Sequence, residues 1–288
     1  MIGLAQESLL AERGWLVVDL PDARPVLHAR RLLLDHLRED ALPALTRLDD
    51  YHRHVDDDGR HDEILHDLTA FYWGMGLGRA IVERNLEVFH VLVGRDLHVQ
   101  RRPALRASRP EKSQDVMALH RDTYYGASPY ELSVVVPFTD VDASGALRVV
   151  SRSHLAADAD IPYIQDVSPD VVSRSPKHQL GFPYAPRALA PALDARAEPI
   201  PLRTGQALVF GLALVYGSAL NTGGRTRIST EIRVVNSLAP RVPGRGTDAS
   251  SYGPLCVSPL SDAARRYLAI NDGTRHTDHA SDEARAEA

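Results

Sequence analysis

The stretch Met117-Ala118-Leu119-His120-Arg121-Asp122 sets the interpretation of the chain, together with Val215-Tyr216-Gly217-Ser218 and Arg225-Thr226-Arg227-Ile228-Ser229 about a hundred residues later. On a β-strand residues i and i+2 face the same side. His120 and Asp122 can therefore offer an imidazole nitrogen and a carboxylate oxygen to one point. That is two-thirds of a two-histidine, one-carboxylate metal site. A third ligand is expected downstream, and the position where it would fall holds Tyr216.

The triplet has company. A strand-like run follows, Glu131-Leu-Ser-Val-Val-Val-Pro-Phe138, then an acidic turn, Thr139-Asp140-Val141-Asp142, then Gly145-Ala-Leu-Arg-Val-Val-Ser-Arg-Ser-His154. Later come Phe210-Gly-Leu-Ala-Leu-Val-Tyr216-Gly217-Ser218, Asn221 and Arg227. This order, over residues 95–237, resembles the phytanoyl-CoA dioxygenase-like branch of the Fe(II)/2-oxoglutarate oxygenases, with Tyr216 where that branch carries its second histidine. The wording Leu119-His-Arg-Asp-Thr123 and Asn221-Thr-Gly-Gly-Arg-Thr-Arg-Ile-Ser229 is most similar to the streptomycin-biosynthesis StrG-like group.

The resemblance implies a mainly β protein with flanking helices, a double-stranded β-helix of the jelly-roll, cupin-like kind. It implies Fe(II) and 2-oxoglutarate as cofactors, and oxidation of a small natural-product substrate, with aminoglycosides or amino sugars in view. His120 and Asp122 are then metal ligands. Arg227, eleven residues after Tyr216, takes the place of the co-substrate arginine. Ser229 shares its strand face, so a guanidinium fork and a hydroxyl can hold the far carboxylate of 2-oxoglutarate.

Tyr216 leaves three alternatives open. It can be the third metal ligand, as tyrosine is for some iron centres. The metal can instead rest on His120, Asp122 and co-substrate alone. Or the protein is a non-oxidative descendant, an isomerase, epimerase, cyclase or binding protein, in which Tyr216 is a catalytic acid/base or a binding group. Gln100 is a further candidate for the co-substrate pocket. Tyr124, Tyr125, Glu131, Glu231 and Arg233 are candidates for the substrate, the tyrosines by stacking and the glutamates by holding an amine. His154 is expected to stabilise a turn, and His178 is a remote substitute for the missing ligand.

Composition narrows the classes. A net charge of −5 gives no general attraction for polyanions, which argues against nucleic acid and is compatible with a cationic substrate. Cys256 is the single cysteine, so no intrachain disulfide forms and a reducing, cytoplasmic setting is expected. The start lacks a basic segment before an apolar run, so no signal peptide is expected, and no run approaches ~20 apolar residues, so no membrane span is expected.

One catalytic domain over residues 1–288 is expected: a helical buttress at 1–94, a jelly-roll core at 95–238 with a lid-like insert at 155–200, and a C-terminal extension at 239–288. Trp15–Leu20 reads as a short strand. Leucines from Leu27 to Leu45 predict a helix over 23–48 interrupted near Pro43, and two more helices are expected in 64–93, the second from Gly78 to Leu92. The Asp- and His-rich segment 49–63 reads as a solvated loop, since it shows no ligand spacing. The barrel is expected to resume at Gln206 after the insert, and a short helix is expected near Ser261–Ile270.

Overall fold

The computed structural model describes residues 4–164, 187–240 and 251–271. Its longest strand is β11 (Arg227–Asn236), ten residues hydrogen-bonded along both edges. On one side it pairs with β4 (Glu131–Pro137). On the other its first half pairs with β3 (Ala104–Ser108) and its second with β2 (Leu97–Gln100). Pro103, which has no N–H to give a ladder, lies in the break between these two partners. The sheet continues from β4 to β9 (Gln206–Gly211) and β1 (Trp15–Asp19), and from β2 to β12 (Tyr252–Pro254). A second antiparallel sheet contains β5 (Leu147–Val150), β8 (Glu198–Ile200) and β10 (Val215–Ser218), and β6 (Tyr163–Ile164) pairs separately with β7 (Arg187–Ala188). Single bridges at His120–Tyr216 and Val141–Leu202 extend it. These two facing antiparallel sheets make the expected jelly roll.

Side-chain alternation assigns each apolar residue to a layer. Val134, Val136, Val209, Ile228, Ile232 and Val234 face outward and pack under the helices. Val135, Leu208 and Phe210 face inward, against Leu147, Val149 and Tyr216 of the second sheet. The unbroken apolar run in β4 follows, since both of its faces are covered. The helices are α1 (Leu4–Arg13), α2 (Arg24–Asp40), α3 (Asp58–Gly74), α4 (Leu77–Glu83) and α5 (Leu86–Leu92). α2 buries Val26, Ala29, Leu33 and Leu37, at spacings of three and four.

Several boundaries differ from expectation. α2 ends at Asp40, and Leu27 lies on its exposed side. The helix expected from Gly78 to Leu92 is two, meeting at Asn85, whose side-chain amide bonds Ile81 O of the first and both N and O of Asp22. The second sheet resumes at β8, ahead of Gln206, and a helix spans 259–271. Among the described residues no helix is long and apolar enough to cross a membrane.

The segment 49–63 is a correction of another kind. It forms a 3-10 helix, Leu48–Arg53, and the start of α3, with Tyr51 and His61 buried. The reason is non-local: Arg109, fully buried, binds Asp115 by its Nε (3.0 Å) and Nη2 (2.9 Å) and the half-exposed Asp58 by Nη2 (2.7 Å), so the segment is tied to the core at Asp58. His61 Nδ1 is 3.0 Å from Tyr51 Oη, and its Nε2 is 3.7 Å from Asp115 Oδ1.

Two predictions follow from this packing. Burial pushes the pKa of His61 down to about 4 from an ordinary 6.5. The unfolded chain therefore binds more protons between those values, so the neutral imidazole contributes stability that is complete above pH 6.5 and lost as pH falls towards 4. The gap corresponds to about 3 kcal/mol. In urea titrations from pH 7 to 4.5, His61→Gln should show a flatter loss of stability than the unsubstituted protein, by roughly 2 kcal/mol. Equal slopes would contradict this.

The second concerns Gly217, where a Cβ would lie 2.7 Å from Met117 O and 2.9 Å from Ala118 O. β10 and the 117–120 segment approach too closely for any side chain, and Ser218 N donates to Met117 O at 2.7 Å there. Gly217→Ala should cost about 1–3 kcal/mol by overpacking. Chemical denaturation measures it, and an unchanged midpoint would show the approach to be loose.

Candidate active site

His120 and Asp122 were expected on one strand, and the structure corrects this. His120 makes one antiparallel bridge, its N donating to Tyr216 O (2.9 Å) and its O accepting from Tyr216 N (3.0 Å). The chain then leaves the sheet, and Asp122 opens a 3-10 helix, Asp122–Tyr125, with its N bonded to Leu212 O at 3.1 Å. A bridge followed by a turn still converges the side chains, with His120 Nε2 3.4 Å from Asp122 Oδ1.

The tautomer of His120 follows from its neighbour. Nδ1 lies 2.8 Å from Ala118 O, a group that can only accept, so Nδ1 carries the proton and Nε2 presents a lone pair. Asp122 is fully buried, and its Oδ2 is held by Arg233 Nη2 at 2.7 Å. Its Oδ1 accepts from Tyr216 Oη at 3.1 Å. The Tyr216 hydroxyl is also 3.4 Å from Glu231 Oε1, which accepts from Ser133 Oγ at 2.9 Å.

Metal–ligand distances of about 2.1 Å put neighbouring octahedral donors about 3 Å apart. The separations of 3.4 Å and 3.1 Å about Asp122 Oδ1 are of that order, so the cluster fits a metal with a phenol oxygen in third position. The bonds from His120 Nδ1 to Ala118 O and from Arg233 Nη2 to Asp122 Oδ2 are the kind that orient such ligands. Among the described residues no group of three or more His, Cys, Asp or Glu side chains is placed to hold a metal ion, so a site here would need a donor of another type beside His120 and Asp122.

Beside this cluster lies a cavity between the sheets, with apolar walls from Met117, Val135 and Leu147. Arg106, Asp115, Arg227, Ser229 and Glu231 also line it. Arg227 Nη1 donates to Gly145 O at 2.8 Å, while its Nε has no partner among the described residues. Burial, and then repulsion from Arg106, push the pKa of Arg227 down to about 10, with Asp115 opposing. Asp115 itself is held by the N, Nε and Nη2 of Arg109.

The structure brings together His120, Asp122, Tyr216, Arg227, Ser229, Glu231 and Arg233 at this cluster and cavity. Others fall elsewhere. Gln100 accepts from Arg233 N at 3.2 Å where the β2–β11 ladder ends, and lines a separate cavity with Tyr72, Trp73 and Arg101. Glu131 is buried against the hydroxyl of Tyr252 at 2.7 Å. Tyr124 bonds Ile161 O at 2.7 Å and stacks on Tyr163, so it ties down the chain after the 3-10 turns. The Tyr125 side chain and His178 lie outside the described residues. His154 Nε2, 3.0 Å from Ala11 O, does brace a turn. Arg106, Ser133 and Asp115 were missed; the strand phase of Arg106, between Leu105 and Ala107, was the available signal.

Residues 29–229 match the sequence profile of the family described as Phytanoyl-CoA dioxygenase (PhyH). No curated protein matches the chain. Among solved structures, the non-heme monooxygenase ThoJ in its apo form is 21% identical, covering 93% of this chain and 93% of its own, with a TM-score of 0.51. Its nickel complex is 19% identical over 95% of this chain and 98% of its own, with a TM-score of 0.52. EctD from S. alaskensis in its apo form is 15% identical over 86% of this chain and 81% of its own, with a TM-score of 0.54. At these identities the likeness is one of fold. The profile match spans more than half of the sequence, and the chain belongs to the phytanoyl-CoA dioxygenase family, whose members use Fe(II) and 2-oxoglutarate.

Proposed function

We propose that the chain is a single-domain, cytoplasmic Fe(II)/2-oxoglutarate-dependent oxygenase that hydroxylates or otherwise oxidises a small natural-product substrate. The observation that carries this is the cavity: Arg227 and Ser229 line it, and Glu231, which also lines it, is 3.4 Å from the hydroxyl of Tyr216. A buried guanidinium with a spare N–H beside a hydroxyl suits a carboxylate. The far carboxylate of 2-oxoglutarate binds there. His120 offers Nε2 because Ala118 holds its other nitrogen, Asp122 offers Oδ1 because Arg233 holds Oδ2, and Tyr216 offers its phenol oxygen. When bound, the iron supplies the oxygen activation that couples decarboxylation of the keto acid to substrate oxidation.

Near-complete burial of His120, Asp122 and Tyr216 excludes water, which strengthens each polar contact. Arg233, whose side chain is 18% exposed, and Glu231 are the site residues assigned to the substrate. An aminoglycoside or amino sugar is the favoured class, from the StrG-like wording and a net charge of −5 that tolerates a cation.

One observation favours a second class. Tyr216, Asp122, Glu231, Ser133 and Arg233 bond one another as they stand, which is also how a metal-independent isomerase or cyclase would keep a buried acid/base. Anaerobic Fe(II) plus 2-oxoglutarate separates the two. The oxygenase gives the weak visible charge-transfer band of the chelate, and Tyr216→Phe weakens Fe(II) binding by about 10–100-fold. Absence of the band in the unsubstituted protein, with its appearance in Tyr216→His, would instead identify a degenerate metal site.

A further inference from the structure

A second cavity lies on the far side of the larger sheet from the candidate metal cluster. Val99 lines it and packs under the helices with its ladder partner Val234, whereas Arg227, Ser229 and Glu231 face the other way. The cavity lies between α3 and α4 on one side and β2 and β12 on the other, with a volume of about 160 Å³. That is the liquid share of roughly five waters, at about 30 Å³ each. Glycine makes the room. A Cβ at Gly78 would lie 2.7 Å from Pro103 Cγ and 3.0 Å from Tyr72 Oη, and one at Gly253 would lie 3.2 Å from Arg101 Cζ.

The polar side chains along this cavity are donors, and no Asp or Glu lines it. Tyr72 is fully buried, and its hydroxyl has no hydrogen-bond partner among the described residues; Thr230, beside it, gives its own hydroxyl proton to Ala104 O at 3.0 Å. A phenol buried in this way ordinarily finds a partner. Gln100 uses Oε1 to accept from Arg233 N, which leaves its NH2 group to donate. Arg79 and Arg101 are exposed at the mouth, and each is bonded by its side chain to a backbone carbonyl alone: Arg79 Nη1 to Pro254 O at 3.1 Å, and Arg101 Nε to Tyr252 O at 2.9 Å. Arg102 adds a third charge, its guanidinium 5.6 Å from the centre of the Trp73 ring. None of the three arginines has a carboxylate partner among the described residues. In a chain of net charge −5 this is a local concentration of positive potential.

We propose that this cavity binds a phosphate oxyanion, as free phosphate or as the phosphate group of a small ester. Its oxygens accept from the Tyr72 hydroxyl, the Gln100 amide and the guanidinium groups of Arg79 and Arg101. A guanidinium fork meets two oxygens of such a group at once. The donors come from α3, α4 and the end of β2, so they surround the ligand, which suits a tetrahedral group better than a planar carboxylate with two oxygens. A cationic ligand would meet only like charge. In an ester the carbon part leaves along the Trp73 ring. None of this depends on the iron and 2-oxoglutarate assignment.

Titration calorimetry and thermal unfolding of the full-length protein, in phosphate-free buffer at low salt, test this with three probes: inorganic phosphate, glycerol 3-phosphate and succinate. The unsubstituted protein should bind a phosphate probe about tenfold or more tightly than succinate, with a rise in Tm that fades as salt is added. Tighter binding of glycerol 3-phosphate identifies an ester as the ligand, and equal affinity identifies free phosphate. Arg101→Gln, on an exposed side chain, should lose about tenfold in affinity. Tyr72→Phe should lose a similar factor while its ligand-free Tm equals or exceeds that of the unsubstituted protein, because a buried hydroxyl without a partner has gone.

Absence of heat and of a Tm rise with both phosphate probes at roughly 10 mM overturns the proposal. Phosphate affinity unchanged in both variants places the anion elsewhere and also overturns it. Loss in only one variant does so too, since a single group, not the cavity, then holds the anion. Succinate bound as tightly as phosphate removes the phosphate assignment.

Discussion

β11 must be apolar on one face and charged on the other, and the rest of the molecule is arranged to satisfy both. Ile228, Ile232 and Val234 pack beneath the helices. In the opposite phase, Arg227, Ser229 and Glu231 line the cavity between the sheets, and Arg233 binds Asp122. Taking charges out of water costs several kcal/mol each unless each is met by opposite charge or good hydrogen bonds. Arg233 meets Asp122, and Glu231 meets Ser133 and Tyr216. Among the described residues Arg227 bonds one carbonyl oxygen, that of Gly145. Under the proposed function, a ligand carboxylate would offset what this arrangement leaves uncompensated.

The second requirement is that the two sheets stay close at one place. Gly217 lets β10 lie against the 117–120 segment, and reciprocal bonds between His120 and Tyr216 fix the register. The imidazole and phenol then sit with ring centroids 4.5 Å apart. Because Asp122 follows in a turn anchored on Leu212, its carboxylate comes back to within 3.4 Å of His120 Nε2. Tyr216 is thus held beside His120 and Asp122 by backbone geometry, whichever chemistry it performs.

Much of the fold was legible because strand alternation is local. Arg227–Asn236 shows in sequence which residues face which way, and Arg227, Ser229, Glu231 and Arg233 could be grouped before any coordinates. The spacing of His120 and Asp122 was informative even though its vehicle was not a strand, since a bridge followed by a turn also brings i and i+2 together. Non-local compensation was not legible. Segment 49–63 looks solvated until Arg109 is placed against Asp58 and Asp115. Gln100 and Glu131 have the right phase, but partners distant in sequence, Arg233 and Tyr252, claim their side chains. Arg106 was passed over because one charge among small apolar residues looks like a solvent-facing edge until its partner Ser229 is known to point inward.

The central claim is that one enclosure joins a carboxylate anchor at Arg227 to donors at His120, Asp122 and Tyr216. A crystal structure of the protein soaked anaerobically with Fe(II) and 2-oxoglutarate tests it most directly. The account predicts keto-acid density reaching from Arg227 and Ser229 to an anomalous metal peak in contact with His120, Asp122 and Tyr216. Keto acid bound in another orientation, or a metal peak away from those three side chains, would contradict it.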